Sequence, residues 1–165
     1  TDQPYGWPDD YTFGKIGIPN SPTERGRDWV QFWAENRLLC NCRHIEHGFA
    51  FRLDKLANRL AGLIPSAPPS SLLHGDLWGG NILAHSGKIV GLIDPACYYG
   101  DREVDFAMLT LFDNPPASFF EAAELEGGWR QRLDVYRLWP LLVHLRLFGG
   151  TYAPHVSGCL ERLGV

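Results

Sequence analysis

Apolar residues recur at helical spacing twice in the first third of the chain. Trp29, Val30, Phe32, Trp33, Leu38 and Leu39 follow Asp28, a residue type suited to the position before a first helical turn, and predict a first helix. Leu53, Leu56, Ala57, Leu60 and Leu63 predict a second, amphipathic one. Residues 1–27 are rich in Pro and Gly and read as a loop with a short hairpin around Phe13 to Ile18. A proline-rich connector, Ile64-Pro65-Ser66-Ala67-Pro68-Pro69-Ser70-Ser71, follows the helices, and beyond it the pattern changes. Leu72-Leu73 lead into a glycine-bearing loop, His74 to Asn81. Ile82-Leu83-Ala84 and Ile89-Val90-Gly91-Leu92-Ile93 then flank a turn at 85–88, which predicts a β-hairpin with a loop at each end. Dense apolar content from Val104 to Phe112 predicts a buried helix, and Pro115-Pro116 open another over 117–125. Leu133, Tyr136, Leu138, Val143 and Leu147 predict a long last helix that Pro140 should kink or split and Gly149-Gly150 should end. The expected class is α+β, predominantly helical, with one small central hairpin and a single domain over 1–165.

Composition narrows the function. With 165 residues, 45% of them hydrophobic, the chain can bury a core of its own. No run of apolar residues is long enough for a membrane helix and the first residues do not resemble a signal peptide, so a soluble, cytoplasmic protein is expected. Four Cys are too few for a disulfide framework. Fifteen basic against nineteen acidic residues leave a net charge of −4, which excludes the basic field that nucleic acid requires. The first residue is Thr1, not Met, so the chain reads as trimmed or as a piece of something longer.

The chemistry-bearing residues bracket the predicted hairpin: His74-Gly75-Asp76-Leu77-Trp78-Gly79-Gly80-Asn81 before it and Asp94-Pro95-Ala96 after it. A hairpin brings its two ends together, which sets Asp76 beside Asn81 and Asp94. Two carboxylates and a carboxamide are hard oxygen donors that suit Mg²⁺. In phosphoryl transfer one carboxylate orients the acceptor hydroxyl, while another and an Asn carbonyl hold the metal on the nucleotide phosphates. Kinase catalytic loops place that Asn five residues after the Asp, as Asn81 follows Asp76, and the metal Asp comes after the next hairpin, where Asp94 stands. A His-x-Asp-x₄-Asn with Asp at one fixed later spacing should arise by chance roughly once in a thousand such chains.

At these residues the sequence resembles the fructosamine kinase (ketosamine-3-kinase) family, of the aminoglycoside phosphotransferase and choline kinase group within the protein-kinase-like fold. Leu72 through Asn81, Ile93-Asp94-Pro95-Ala96, Tyr98-Tyr99-Gly100 and Arg102-Glu103 carry the likeness, with Tyr136-Arg137-Leu138, His144, Leu147-Phe148-Gly149-Gly150, Tyr152 and Asp28-Trp29-Val30 agreeing. The resemblance implies ATP-dependent, Mg²⁺-assisted phosphorylation of a ketosamine hydroxyl, a glycation-repair reaction. By motif position Asp76 resembles the base, Asn81 and Asp94 the nucleotide-linked Mg²⁺ ligands, and His74 a support for the loop. Asp105 either braces the loop backbone or is a first-turn helix Asp. Asp101 stands where the family pattern has His. Another small-molecule kinase, acting on an aminoglycoside, choline or a sugar, is the nearest alternative, and a non-catalytic remnant or binding module is the other. No Gly-x-Gly-x-x-Gly loop occurs, and neither Lys15, Lys55 nor Lys88 sits where the phosphate-binding Lys belongs. The chain is therefore expected to be the C-terminal lobe of such a kinase, with the N-terminal nucleotide-clamping lobe as its missing partner, and inactive or nearly so alone.

Other residues have two readings. Trp78 packs against the substrate or only within the loop; Tyr98 and Tyr99 line the acceptor cleft or anchor it. Cys40, Cys42, His44 and His47 are metal-ligand types within eight residues, but Cys42 leaves the helical face shared by the others, and a solvated helix end is the reading preferred. Arg130, Arg132 and Arg137 read as a solvated helix face, Trp29, Trp33, Phe119 and Phe120 as core, and His144 as a core histidine.

Overall fold

Asp28 caps the first helix as its sequence position requires: its Oδ1 accepts the backbone N–H of Gln31 at 3.0 Å. The computed structural model describes residues 1–23 and 27–165, so residues 24–26 of the expected opening loop lie outside the described residues. Within that loop β1 (Tyr11–Phe13) and β2 (Ile16–Ile18) form the expected hairpin. The first helix changes pitch along its length. It is α-helical over Trp29–Trp33 (α1), π-helical over Ala34–Leu38 and 3₁₀ over Leu39–His44. Arg37 in the π turn is fully buried, its guanidinium 4.1 Å from the centre of the Tyr98 ring and hydrogen-bonded to the Pro19 carbonyl and to Asn20 Oδ1. The second helix, α2 (His47–Ala57), buries Leu53 and Leu56, and a 3₁₀ turn at Leu60–Gly62 buries Leu60.

After the connector the structure adds a pairing that hydrophobic pattern alone did not supply. Ser70–Leu73 is a strand (β3), and it pairs antiparallel with Tyr98–Asp101 beyond the hairpin, Ser70 opposite Asp101 and Leu73 opposite Tyr98. Between them lies the expected hairpin of β4 (Ile82–His85) and β5 (Lys88–Leu92); the partner of β3 is β6. Helices α3 (Glu103–Phe112), α4 (Ala117–Ala122), α5 (Trp129–Phe148) and α6 (Ala153–Arg162) complete the chain. The last of these lies outside the elements expected from periodicity. Helix α5 is one helix of 20 residues: Pro140 neither splits it nor ends it. Pro140 lies in a buried stretch from Leu138 to Val143 that packs against α3, so packing carries the helix past the missing backbone donor. Gly149, with φ +75°, does end it.

The core is aromatic at its centre. Trp29 and Trp33 surround Tyr136, whose hydroxyl accepts from Trp29 Nε1 at 3.0 Å and donates to Asp101 Oδ2 at 2.7 Å. Tyr136→Phe leaves the buried indole N–H and one carboxylate oxygen without this partner. A loss of about 2 kcal/mol is expected, read as a lower urea midpoint at unchanged slope. The arginines expected on a solvated face of α5 are partly internal. Arg132 forms a two-pronged pair with Glu103 (2.7 and 2.6 Å), and Arg137 bonds Thr110 Oγ1 at 2.7 Å, because α3 lies along that side of α5; Arg130 stacks on Trp129. Phe119, expected in the core, is exposed at the edge of an aromatic cluster with Phe106 and Phe120. Among the described residues no helix is long and apolar enough to cross a membrane.

Candidate active site

The β3–β6 pair is what assembles the site. It clamps the chain at Leu73 and again at Tyr98, and the clamp extends one step further where Ala96 N–H donates to the His74 carbonyl at 2.8 Å. The loops on either side of the hairpin β4–β5 are thereby held at one end of the sheet. Gly75 has φ +78°, and a Cβ built there would overlap the Ala96 carbonyl oxygen. Gly75→Ala is expected to destabilise the fold by about 3 kcal/mol or more, measured by chemical denaturation.

Two side chains fix the loop backbone. Asp105, in the first turn of α3, accepts the N–H groups of His74 (2.8 Å) and Gly75 (2.9 Å), the bracing alternative of its two readings. Burial pushes its carboxyl above the usual range, against the effect of the two N–H donors. His74 lies 2.9 Å through Nε2 from the Ile93 carbonyl, which can only accept, so Nε2 carries the proton. Its Nδ1 then accepts from Asp76 N–H at 3.3 Å. His74 thus spends both ring nitrogens on backbone.

Asp76 is half-buried, and Asn81 holds it: Nδ2 donates to the Asp76 carbonyl at 2.9 Å and to its Oδ2 at 3.1 Å. That use of the amide nitrogen leaves Asn81 Oδ1 as a free oxygen donor atom. Burial raises the Asp76 carboxyl above its ordinary range; the Asn81 hydrogen bond and His144 pull the other way, and the charge of Asp94 adds to the rise. Asp94 reaches this neighbourhood because β5 returns beside Asn81: Ile93 N–H donates to the Asn81 carbonyl at 3.0 Å. Asp94 itself takes φ +51°, a left-handed turn that Asp tolerates. Asp76, Asn81 and Asp94 thus sit around the base of the hairpin, with oxygen donors of the hard kind that Mg²⁺ takes.

Beside Asp76 opens a cavity of about 370 Å³, walled by aromatic and aliphatic side chains together with His144. Trp78 belongs to this wall, edge-on to Phe112 with centroids 6.1 Å apart. The other aromatic candidates do not. Tyr98 is only 1% exposed, its ring under Arg37, because position 98 points into the core from β6. Tyr99 faces the other way and stacks on Trp7 at 5.6 Å. Asp101 is buried too, bonded to Tyr136 and to Glu103 N–H, so the position where the family pattern has His serves the core here. Cys40 bonds the Asn36 carbonyl and Arg43 bonds His44. Among the described residues no three His, Cys, Asp or Glu side chains converge as metal ligands.

This geometry has counterparts. The fructosamine kinase family model matches residues 1–164. The chain belongs to the fructosamine kinase family. A "Probable ketoamine kinase" of Synechocystis is 35% identical over 178 residues, which cover 96% of this chain and 55% of that protein. The Escherichia coli "Probable ketoamine kinase YniA" is 35% identical over 95% of this chain and 59% of its own length. The crystal structure of a "putative fructosamine-3-kinase" from Thermobifida fusca superposes with a TM-score of 0.85 at 34% identity, covering 96% of this chain and 58% of that one. The chain therefore spans little more than half the length of the relatives it matches, and it shares their fold over that part.

Several members of the site were not visible as such in the sequence. His144 is a half-buried member of the cavity wall, its Nδ1 2.7 Å from the Pro140 carbonyl, and its charge bears on Asp76. Its only sequence signal was a polar residue on an apolar helical face. Phe13, from the opening hairpin, gave no signal for a place beside Asp76. Asp113, at the end of α3, accepts the Gly79 N–H at 2.7 Å and ties down the loop between Trp78 and Asn81.

Proposed function

We propose that the chain is the catalytic C-terminal lobe of a ketosamine kinase, which transfers phosphate from ATP to a sugar-derived hydroxyl of a fructosamine or ribulosamine adduct. The observation that carries this reading is the placement of Asp76 beside an open cavity with Asn81 bonded to its carboxylate and Asp94 across the hairpin base. Asp76 accepts the hydrogen bond of the acceptor hydroxyl, orients it and takes its proton. Asn81 holds Oδ2, which leaves Oδ1 for the acceptor. Asn81 Oδ1 and the Asp94 carboxylate would hold Mg²⁺. When bound, that ion neutralises charge on the nucleotide phosphates. Asp105 and His74 keep the backbone under Asp76 in place.

The roof over the nucleotide belongs to a separate N-terminal lobe of the same protein. The length of the relatives and the lack of a glycine-rich loop in this chain support that division. Alone, the chain is expected to transfer little or no phosphate. The test is an acceptor panel with the full-length protein and Mg·ATP, read as product mass. Phosphorylation of fructosyl-lysine or ribulosyl-lysine with kcat/KM well above that for choline or an aminoglycoside supports the reading. Phosphorylation of choline or an aminoglycoside alone overturns it.

A further inference from the structure

With the cleft beside Asp76 taken as the acceptor site, as proposed above, its walls bear on the amine that the acceptor carries. Three large rings at its mouth are unusually open: Phe148 is 62% exposed, Phe112 44% and Trp78 39%. Open aromatic surface gathered at one mouth marks a binding wall. His144 lies among these rings, with centroids 5.3 Å from Phe112, 5.5 Å from Phe148 and 5.0 Å from Tyr152, and its Nδ1 is engaged by the Pro140 carbonyl.

The charges of the wall are as informative as its rings. Among the described residues no Lys or Arg lines the cavity, and the charge of His144 already bears on Asp76, so a carboxylate carried in there would lose water for little counter-charge. Asp76 is its one carboxylate, and in the proposed reaction that group is occupied with the hydroxyl. The cationic amine nitrogen of a ketosamine is then left with the faces of aromatic rings, which attract an ammonium. We propose that the cleft selects ketosamines of amines that are apolar next to the nitrogen, holding the secondary ammonium and its hydrocarbon substituent against Phe112, Phe148 and Tyr152, and disfavours ketosamines that carry a carboxylate on the carbon beside that nitrogen.

Calorimetric titration of the full-length protein, without ATP, with the fructose adducts of benzylamine, ethanolamine and glycine, and with benzylamine itself, tests this without requiring phosphate transfer. The expected order of affinity is benzylamine adduct, ethanolamine adduct, glycine adduct, with at least tenfold between first and last. Phe148→Ala, at an exposed helix end, should reduce that ratio to threefold or less. Equal affinities for the three adducts would overturn the proposed selectivity and leave the ketosamine reading intact. Benzylamine binding as tightly as its adduct would retain the apolar ammonium wall and count against the ketosamine reading. Binding of none of the four would contradict both.

Discussion

Asp76→Asn is expected to lower kcat/KM for phosphate transfer by about 10²- to 10⁴-fold while leaving the fold intact. The amide keeps the size of the carboxylate and can still meet Asn81 across the 3.1 Å contact, so little packing changes. What it loses is the group that takes the hydroxyl proton and the charge that orients it. The same residue sets the acid side of the pH profile. In the proposed reaction Asp76 works as the carboxylate, and burial raises its pKa. Activity should therefore rise with pH through a value above that of an ordinary aspartate and level off beyond it. Steady-state rates across pH for wild type and variant check both statements; a variant that retains wild-type kcat/KM removes Asp76 from the chemistry.

Asp105→Ala is expected to have the second-largest effect, on stability and rate together. Its two oxygens accept the N–H groups of His74 and Gly75, and both donors lie at buried residues. Losing both acceptors should cost about 3 kcal/mol. It should also let the loop drift, and a displacement near 1 Å at Asp76 reduces transfer about 10²-fold. Asp105→Asn keeps one acceptor oxygen and should fall between. A Asp105→Ala variant of unchanged urea midpoint would show that the brace is dispensable. An unchanged midpoint with a large rate loss would assign Asp105 a more direct role.

How much of this was legible in the sequence depends on how local each signal is. The hairpin at 82–92 announced itself by two apolar runs around a Ser-Gly turn, and the helices by their spacing; both are local patterns. The proximity of Asp76, Asn81 and Asp94 was legible because their spacing is fixed by one loop and one hairpin. The β3–β6 pairing joins two short segments about 30 residues apart, and neither alternates clearly between apolar and polar residues. Pro140 does not split its helix because its cost is local, whereas the packing that outweighs it comes from α3. Arg37 and Tyr98 are a similar case. Each carries a polar group that suits the surface, and each is buried by the other. His144 and Phe13 reach the cavity only through tertiary structure, which no spacing along the chain encodes.

The measurement that tests the central claim most directly is paramagnetic broadening by Mn²⁺, in place of Mg²⁺, added with ATP to the ¹⁵N-labelled protein. The arrangement around the hairpin base predicts that the amide signals of Asn81 and Asp94 broaden first and that Asp94→Ala abolishes the effect. Broadening confined to acidic residues elsewhere, with Asn81 and Asp94 unaffected at saturating ATP, would contradict it.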